Sequence, residues 1–190
     1  MVEEKSCKKD DKLTKFQKIF IYFIIYAFIG WVLETLYVSS LQGHLVKRGF
    51  LFGPICPIYG CGAIMLITIL GKFKKQTGKL FFGAIIIFSL FEYIVSFGLE
   101  ALYGNIWWDY STQLGHLNGR ITLLSSFAWG VLALLFLNTV HPYLEKKLQI
   151  LINKMPCISQ KIIFYLLFLI YIIDTASACI FHVFNTVNYV

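Results

Sequence analysis

The sequence predicts an all-α polytopic membrane protein with about five transmembrane helices and a short cytoplasmic amphipathic helix. Three observations carry this expectation. Of 190 residues, 58% are hydrophobic and only 14% charged, with a mean hydropathy of +0.71, whereas soluble domains average roughly 25% charged residues. Five apolar runs reach the length of about 20 residues that a spanning helix needs. Lysines cluster in alternate connecting segments, as expected of loops sorted to one side of a membrane.

Residues 1–15 form a charged head in which Glu3, Glu4, Asp10 and Asp11 stand among lysines. The first apolar run, 16–40, is too long for a signal-peptide core and lacks a small-residue cleavage pattern, so it reads as a retained helix. Further spans are expected at 51–70, 80–103, 121–140 and 162–182. Residues 16–190 then make a single transmembrane domain, with no room for a sizeable water-soluble one. The lysine clusters at 5–18, 72–79 and 146–161 fall in the head, the second loop and the fourth loop. By the positive-inside rule these face the cytoplasm, which puts the N-terminus inside and the lysine-free tail outside. The net charge of +7 is therefore a topology signal, and nucleic acid is not expected as a partner. We find no convincing internal repeat and no low-complexity linker.

Two segments depart from simple spans. In residues 47–59, KRGFLFGPICPIY, Pro54 and Pro57 leave carbonyls without helical donors. Such backbone is tolerated at membrane depth only where protein or a wet cavity satisfies it, so either a broken entry to the second span or a proline-rich helix start above the bilayer is expected. In residues 143–155, Leu144, Leu148, Leu151 and Met155 recur at helical spacing while Lys146, Lys147 and Lys154 lie elsewhere on the wheel. This segment reads as an amphipathic surface helix bracketed by Pro142 and Pro156. The cysteines show no metal-type spacing. Cys7 and Cys157 are expected to be cytoplasmic and reduced, and Cys56 and Cys61 to be small apolar filler.

The chemistry-bearing residues are carboxylates placed in apolar surroundings. Glu34, Glu92, Glu100 and Asp174 lie within the apolar runs, where an ionised side chain costs several kcal/mol. With the orientation above, they fall centrally or toward the outer side. The loops carrying the two arginines, Arg48 and Arg120, also emerge there. Glu92, Ser96 and Glu100 share one helix stripe, as do Tyr26, Gly30 and Glu34. Two arrangements are open: an outward-facing polar pocket built from Glu34, Glu92, Glu100, Arg48 and Arg120, or ion pairs of Glu34 or Glu100 with an arginine that only lock helix packing. Glu92 is expected to be the hardest to satisfy from a loop. Asp109 is a further substrate-binding or proton-coupling candidate, with capping of the following turn or pairing with Arg120 as the structural alternatives. Trp107, Trp108 and Tyr110 suit an interfacial aromatic belt. His44 and His116 are single loop histidines without a third ligand, so no metal and no cofactor is expected. Motifs of the types GxxxxGK[ST], HExxH and GxSxG are absent. No catalytic residue is assigned, although a carboxylate-dependent membrane enzyme acting on a lipid or envelope precursor, or a non-catalytic accessory protein, remain alternative classes.

Two stretches, GWVLETLYVSSLQGHLVKRGFLFGPICPIYG and EYIVSFGLEALYGNIWWDYSTQLGHLNGRITLLSSFAWG, together resemble the CmpB-type family of small membrane proteins described as putative ABC-transporter type IV. The resemblance covers about residues 22–145. It rests on Gly30, Trp31, Glu34, Arg48, Gly49, Gly53, Pro54, Pro57, Tyr59 and Gly60 in the first stretch. In the second it rests on Glu92, Glu100, Trp108, Asp109, Tyr110, Gly119 and Arg120. It implies a permease or transporter-like subunit in a cell membrane. A cytoplasmic ATPase docking at residues 143–155, or a second copy of the chain, is the implied partner besides membrane lipids. Asp174 lies beyond the resemblance and inherits no role from it.

Overall fold

The computed structural model describes residues 13–187; the charged head before Leu13 and the last three residues lie outside the described residues. The described chain is an all-helical, polytopic membrane protein. Helix α1 spans Lys15–Gln42. Thr14 starts it with a capping box in which its hydroxyl accepts from the Gln17 amide while the Gln17 side chain accepts from the Thr14 amide, satisfying two otherwise orphaned donors. Gly43 ends it. Helix α2, Pro57–Met65, continues through a π-helical turn, Leu66–Leu70, and a 3-10 turn, Gly71–Phe73. Helix α3 covers Thr77–Tyr103 and ends on Gly104. Helix α4, Leu123–Leu135, is capped by Thr122 and passes through a second π-helical turn, Phe136–Val140, into α5, His141–Lys154. Helix α6 covers Cys157–Val187.

Among the described residues, four helical stretches are long and apolar enough to cross a membrane: Lys15–Gln42, Thr77–Tyr103, Leu123–Lys154 and Cys157–Phe184. The fifth apolar helix, Pro57–Phe73, is shorter. Two expectations are corrected here. The second run becomes helical only at Pro57 and not at residue 51, because the prolines and the bends between residues 49 and 54 keep the chain non-helical there, which is the broken entry, one of the two expectations for this loop. Nor is α5 separated from the fourth run by a break at Pro142. That proline sits at the second residue of α5, just past the π-helical turn, and α4 runs on into α5 without interruption.

The chain divides into two compact units. The first takes the residues up to Ile64 together with Leu144–Ala178; the second takes Met65–Tyr143 with the residues from Cys179. In the first, Leu13, Phe20, Ile21, Ile24 and Phe164 form the core, and Phe20 meets the rings of Phe168 and Tyr171 edge-on at 5.2 and 5.8 Å. The leucine stripe of α5 is used inside this unit, since Leu144, Leu148 and Leu151 line a groove with Tyr22, Ile25 and Tyr26 of α1. In the second, Leu66, Leu70, Leu80, Ala84, Phe88, Ala133 and Leu137 form the core. Lipid is as apolar as leucine, so helices in a bilayer associate through close packing at small residues. Ala84 and Ala133 are accordingly fully buried, whereas Ile86 and Leu123 are 68% and 70% exposed.

Of the cysteines, Cys56, Cys61 and Cys179 are free. Cys157 is disulfide-bonded, where a reduced thiol was expected; Cys7 lies outside the described residues.

Candidate functional site

Each unit holds its own polar cluster. In the first, Glu34 on α1 receives the Arg48 guanidinium, with Nε 3.0 Å from Oε1. The Cys56 thiol donates to Oε2 at 3.7 Å. The loop that carries Arg48 is held in place by Trp31, one turn before Glu34, whose indole Nε1 donates to the Arg48 carbonyl at 3.0 Å.

Beyond Arg48 the Gly-Pro loop is tied to α6. Asp174 accepts the amide of Phe52 at 3.0 Å through Oδ1 and that of Gly53 at 2.9 Å through Oδ2. A Cβ at Gly53 would lie 2.8 Å from Oδ2, so only glycine lets the carboxylate come this close. The Cys56 amide donates to the Ala27 carbonyl of α1 at 3.1 Å. The freed backbone of the broken entry is thus satisfied by protein. Pro54 lies within the non-helical part, Pro57 opens α2, and Tyr59 fills the space above Gly30.

In the second unit, Glu92 on α3 is 5% exposed. Tyr110 donates its phenol to Oε1 at 3.0 Å, and Trp129 on α4 donates its indole to Oε2 at 2.9 Å. Among the described residues no cation lies within ion-pair distance of Glu92. Nearby on the same helices, the hydroxyls of Ser89 and Ser126 share a hydrogen bond at 2.6 Å.

Glu100, two turns further along α3, pairs with Arg120 at 2.6 Å. The guanidinium also lies against the rings of Tyr93 and Phe97, 5.7 and 5.5 Å from their centroids, a cation–π setting. Trp108 fixes the backbone here, its Nε1 donating to the Arg120 carbonyl at 3.1 Å. Asp109 caps the following turn through the Ser111 amide and hydroxyl at 2.8 and 2.9 Å, and makes no pair with Arg120. These bonds hold its carboxyl below the usual aspartate range, the backbone amide contributing most.

The sequence-expected residues therefore assemble as two Glu–Arg pairs, one in each unit, and one buried carboxylate held by neutral donors. The ion-pair arrangement left open in the sequence is the one found for Glu34 and Glu100. Glu92, expected to be the hardest to satisfy from a loop, is reached by Tyr110 from the loop after α3 and by Trp129 from α4. Trp108 and Tyr110 have specific hydrogen-bond partners beyond any interfacial placement. Trp129 was not singled out from sequence, its indole N–H being the only polar signal; Cys56, expected as small apolar filler, instead donates its thiol to Glu34. Among the described residues, no three metal-ligating side chains cluster.

Compared with known protein families, residues 21–179 match the one described as Putative ABC-transporter type IV. The chain belongs to this family. The match extends well past the stretch on which the sequence resemblance rested and takes in α5 and Asp174. No curated protein and no solved structure matches the chain. Membership in this family and the long apolar helices together make it a transporter-like membrane protein.

Proposed function

We propose that the protein is a permease-type membrane subunit in which Glu92 binds a proton or a small cation during transport. The observation that carries this reading is the environment of Glu92. It is a buried carboxylate with both oxygens accepting hydrogen bonds, but with neutral donors only. Buried charges are expected to be paired, and intramembrane carboxylates mark ion pathways and proton relays. Tyr110 and Trp129 orient the carboxylate and partly stabilise its ionised form, while a positive charge is left for a transported species to supply. Glu34 and Glu100 already hold arginines and are less suited to this task. The N-terminus inside and the C-terminus outside follow from the lysine distribution. A cytoplasmic ATPase or a second copy of the chain fits the family description, and α5 is the amphipathic element suited to such a dock.

The test is proton flux into vesicles reconstituted with the purified full chain, read by a trapped pH-sensitive dye under an imposed potential. The reading expects flux in the native protein and its loss in Glu92→Gln at equal membrane abundance. No flux in the native protein, or equal flux in the variant, would overturn it.

A further inference from the structure

The two Glu–Arg pairs stand in matching surroundings. LETLY at 33–37 is answered by LEALY at 99–103, and GHLVKR at 43–48 by GHLNGR at 115–120. In both, the glutamate of the first string receives the arginine that ends the second. In both, the arginine carbonyl accepts a tryptophan indole, although from non-equivalent places: Trp31 on the helix before the glutamate and Trp108 in the loop after it. The glycine opening each GHL has φ of 71°, at Gly43 and again at Gly115, a left-handed conformation that glycine adopts without steric cost.

The agreement continues into the following helices. Tyr59-Gly60 in α2 corresponds to Trp129-Gly130 in α4, and six residues after each glycine a five-residue π-helical turn begins, Leu66–Leu70 and Phe136–Val140. Such turns are rare, so two at the same register are unexpected by chance. Gly60 is pressed against Phe23 of α1 and Gly130 against Phe81 of α3. Each glycine therefore lets the second helix approach the first of its own pair. Ala63 and Ala133, three residues on, are buried alike. The loops differ in length by six residues between the glutamate and the GHL, so the likeness has no fixed period. A repeat without a fixed period leaves no regular signal along the chain.

We propose that residues 15–73 and 77–140 are two copies of one helical hairpin, and that Glu34–Arg48 and Glu100–Arg120 are the same loop clamp used twice. We further assign the specialised group to the place where the copies part. Eight residues before each clamp glutamate stands Tyr26 in the first copy and Glu92 in the second, both buried. Four residues before it stand Gly30 and Ser96. A residue pair common to both hairpins serves what both must do, which is to hold the loop on its helix. A carboxylate present in one copy only serves what one copy does. The last assignment rests on the transport reading above; the duplication and the clamps do not. Internal repeats recur in transporter folds, which agrees with the family.

The experiment compares hydrogen exchange of the loops 43–56 and 105–121 in the purified full chain. Glu34→Gln and Glu100→Gln are each expected to speed exchange in their own loop by about tenfold, as when one partner of a partly buried pair is removed. The charge-reversed doubles, E34R with R48E and E100R with R120E, are expected to restore protection in both. Unchanged exchange in either single variant, or failure of reversal in one hairpin only, would overturn the shared clamp. Glu92→Gln, which keeps an acceptor for Tyr110, is expected to keep both loops protected while proton flux is lost. Flux retained with protected loops would overturn the role of Glu92 and leave the duplication standing. Loops opened by Glu92→Gln would place Glu92 with the clamps instead.

Discussion

Tyr110 and Glu92 are 18 residues apart in sequence and 3.0 Å apart in space, the phenol donating to the carboxylate. The contact makes the loop after α3 part of the carboxylate's surroundings. The loop is itself held in shape by the Tyr110 amide donating to the Gly119 carbonyl at 2.8 Å and by Trp108 donating to Arg120. The clamp residues thereby position Tyr110, and Tyr110 positions Glu92.

Tyr110→Phe removes one donor from a buried carboxylate and is expected to destabilise the protein by about 1–3 kcal/mol. In a Glu92→Gln background the same change is expected to cost clearly less, because the charged acceptor is gone. A double-mutant cycle read by thermal unfolding in detergent checks this. Simple additivity would show that the phenol acts elsewhere.

Asp174→Ala leaves the amides of Phe52 and Gly53 without their acceptor. Hydrogen bonds to charged groups contribute roughly 1.5–3 kcal/mol, so faster exchange confined largely to residues 50–56 is expected. Asp174→Asn keeps one carbonyl oxygen and is expected to fall between. Equal protection in all three proteins would contradict the role given to this carboxylate.

Gly60→Ala and Gly130→Ala are expected to differ in severity. A new Cβ at Gly60 would lie 2.7 Å from the backbone carbonyl oxygen of Phe23, whereas at Gly130 the nearest atom, at 2.6 Å, belongs to the Phe81 ring. A ring turns aside more readily than backbone moves. Overpacking costs typically about 1–3 kcal/mol, and the loss is expected at the upper end for Gly60 and the lower for Gly130. Melting temperatures of the two variants decide it.

Strong acid is expected to loosen the turn after α3 that Asp109 caps. Ser111 lowers the carboxyl of Asp109 below its unfolded value, about 3.9. The stabilisation is therefore complete above that value and is lost as pH falls through the lower, folded one. Exchange at Ser111 against pH reports it, and Asp109→Asn is expected to abolish the dependence.

Much of this was legible in the chain. Apolar run length gave the helical membrane class, because a spanning helix must satisfy its own backbone, and the cost of buried charge singled out Glu34, Glu92, Glu100 and Asp174. The pairing of Glu34 with Arg48 was within reach, since loop arginines are natural partners for carboxylates near helix ends. What sequence could not give was the third dimension. Tyr110 looked like an interfacial aromatic, and its phenol turns inward only because the loop closes on Gly119. Pro142 looked like a helix break, yet the chain passes through the π-helical turn into α5 with the proline as its second residue. Asp174 had no visible partner, because backbone amides 121 and 122 residues away carry no sequence signature.

The measurement that tests the central claim most directly is the carboxyl stretch in infrared difference spectra of the native protein and Glu92→Gln, recorded across pH in reconstituted membranes. A carboxyl band that titrates in the native protein and is missing in the variant is the predicted result. A native spectrum without a titrating carboxyl, or the same band surviving in Glu92→Gln, would contradict the assignment of Glu92 as the proton- or cation-binding group.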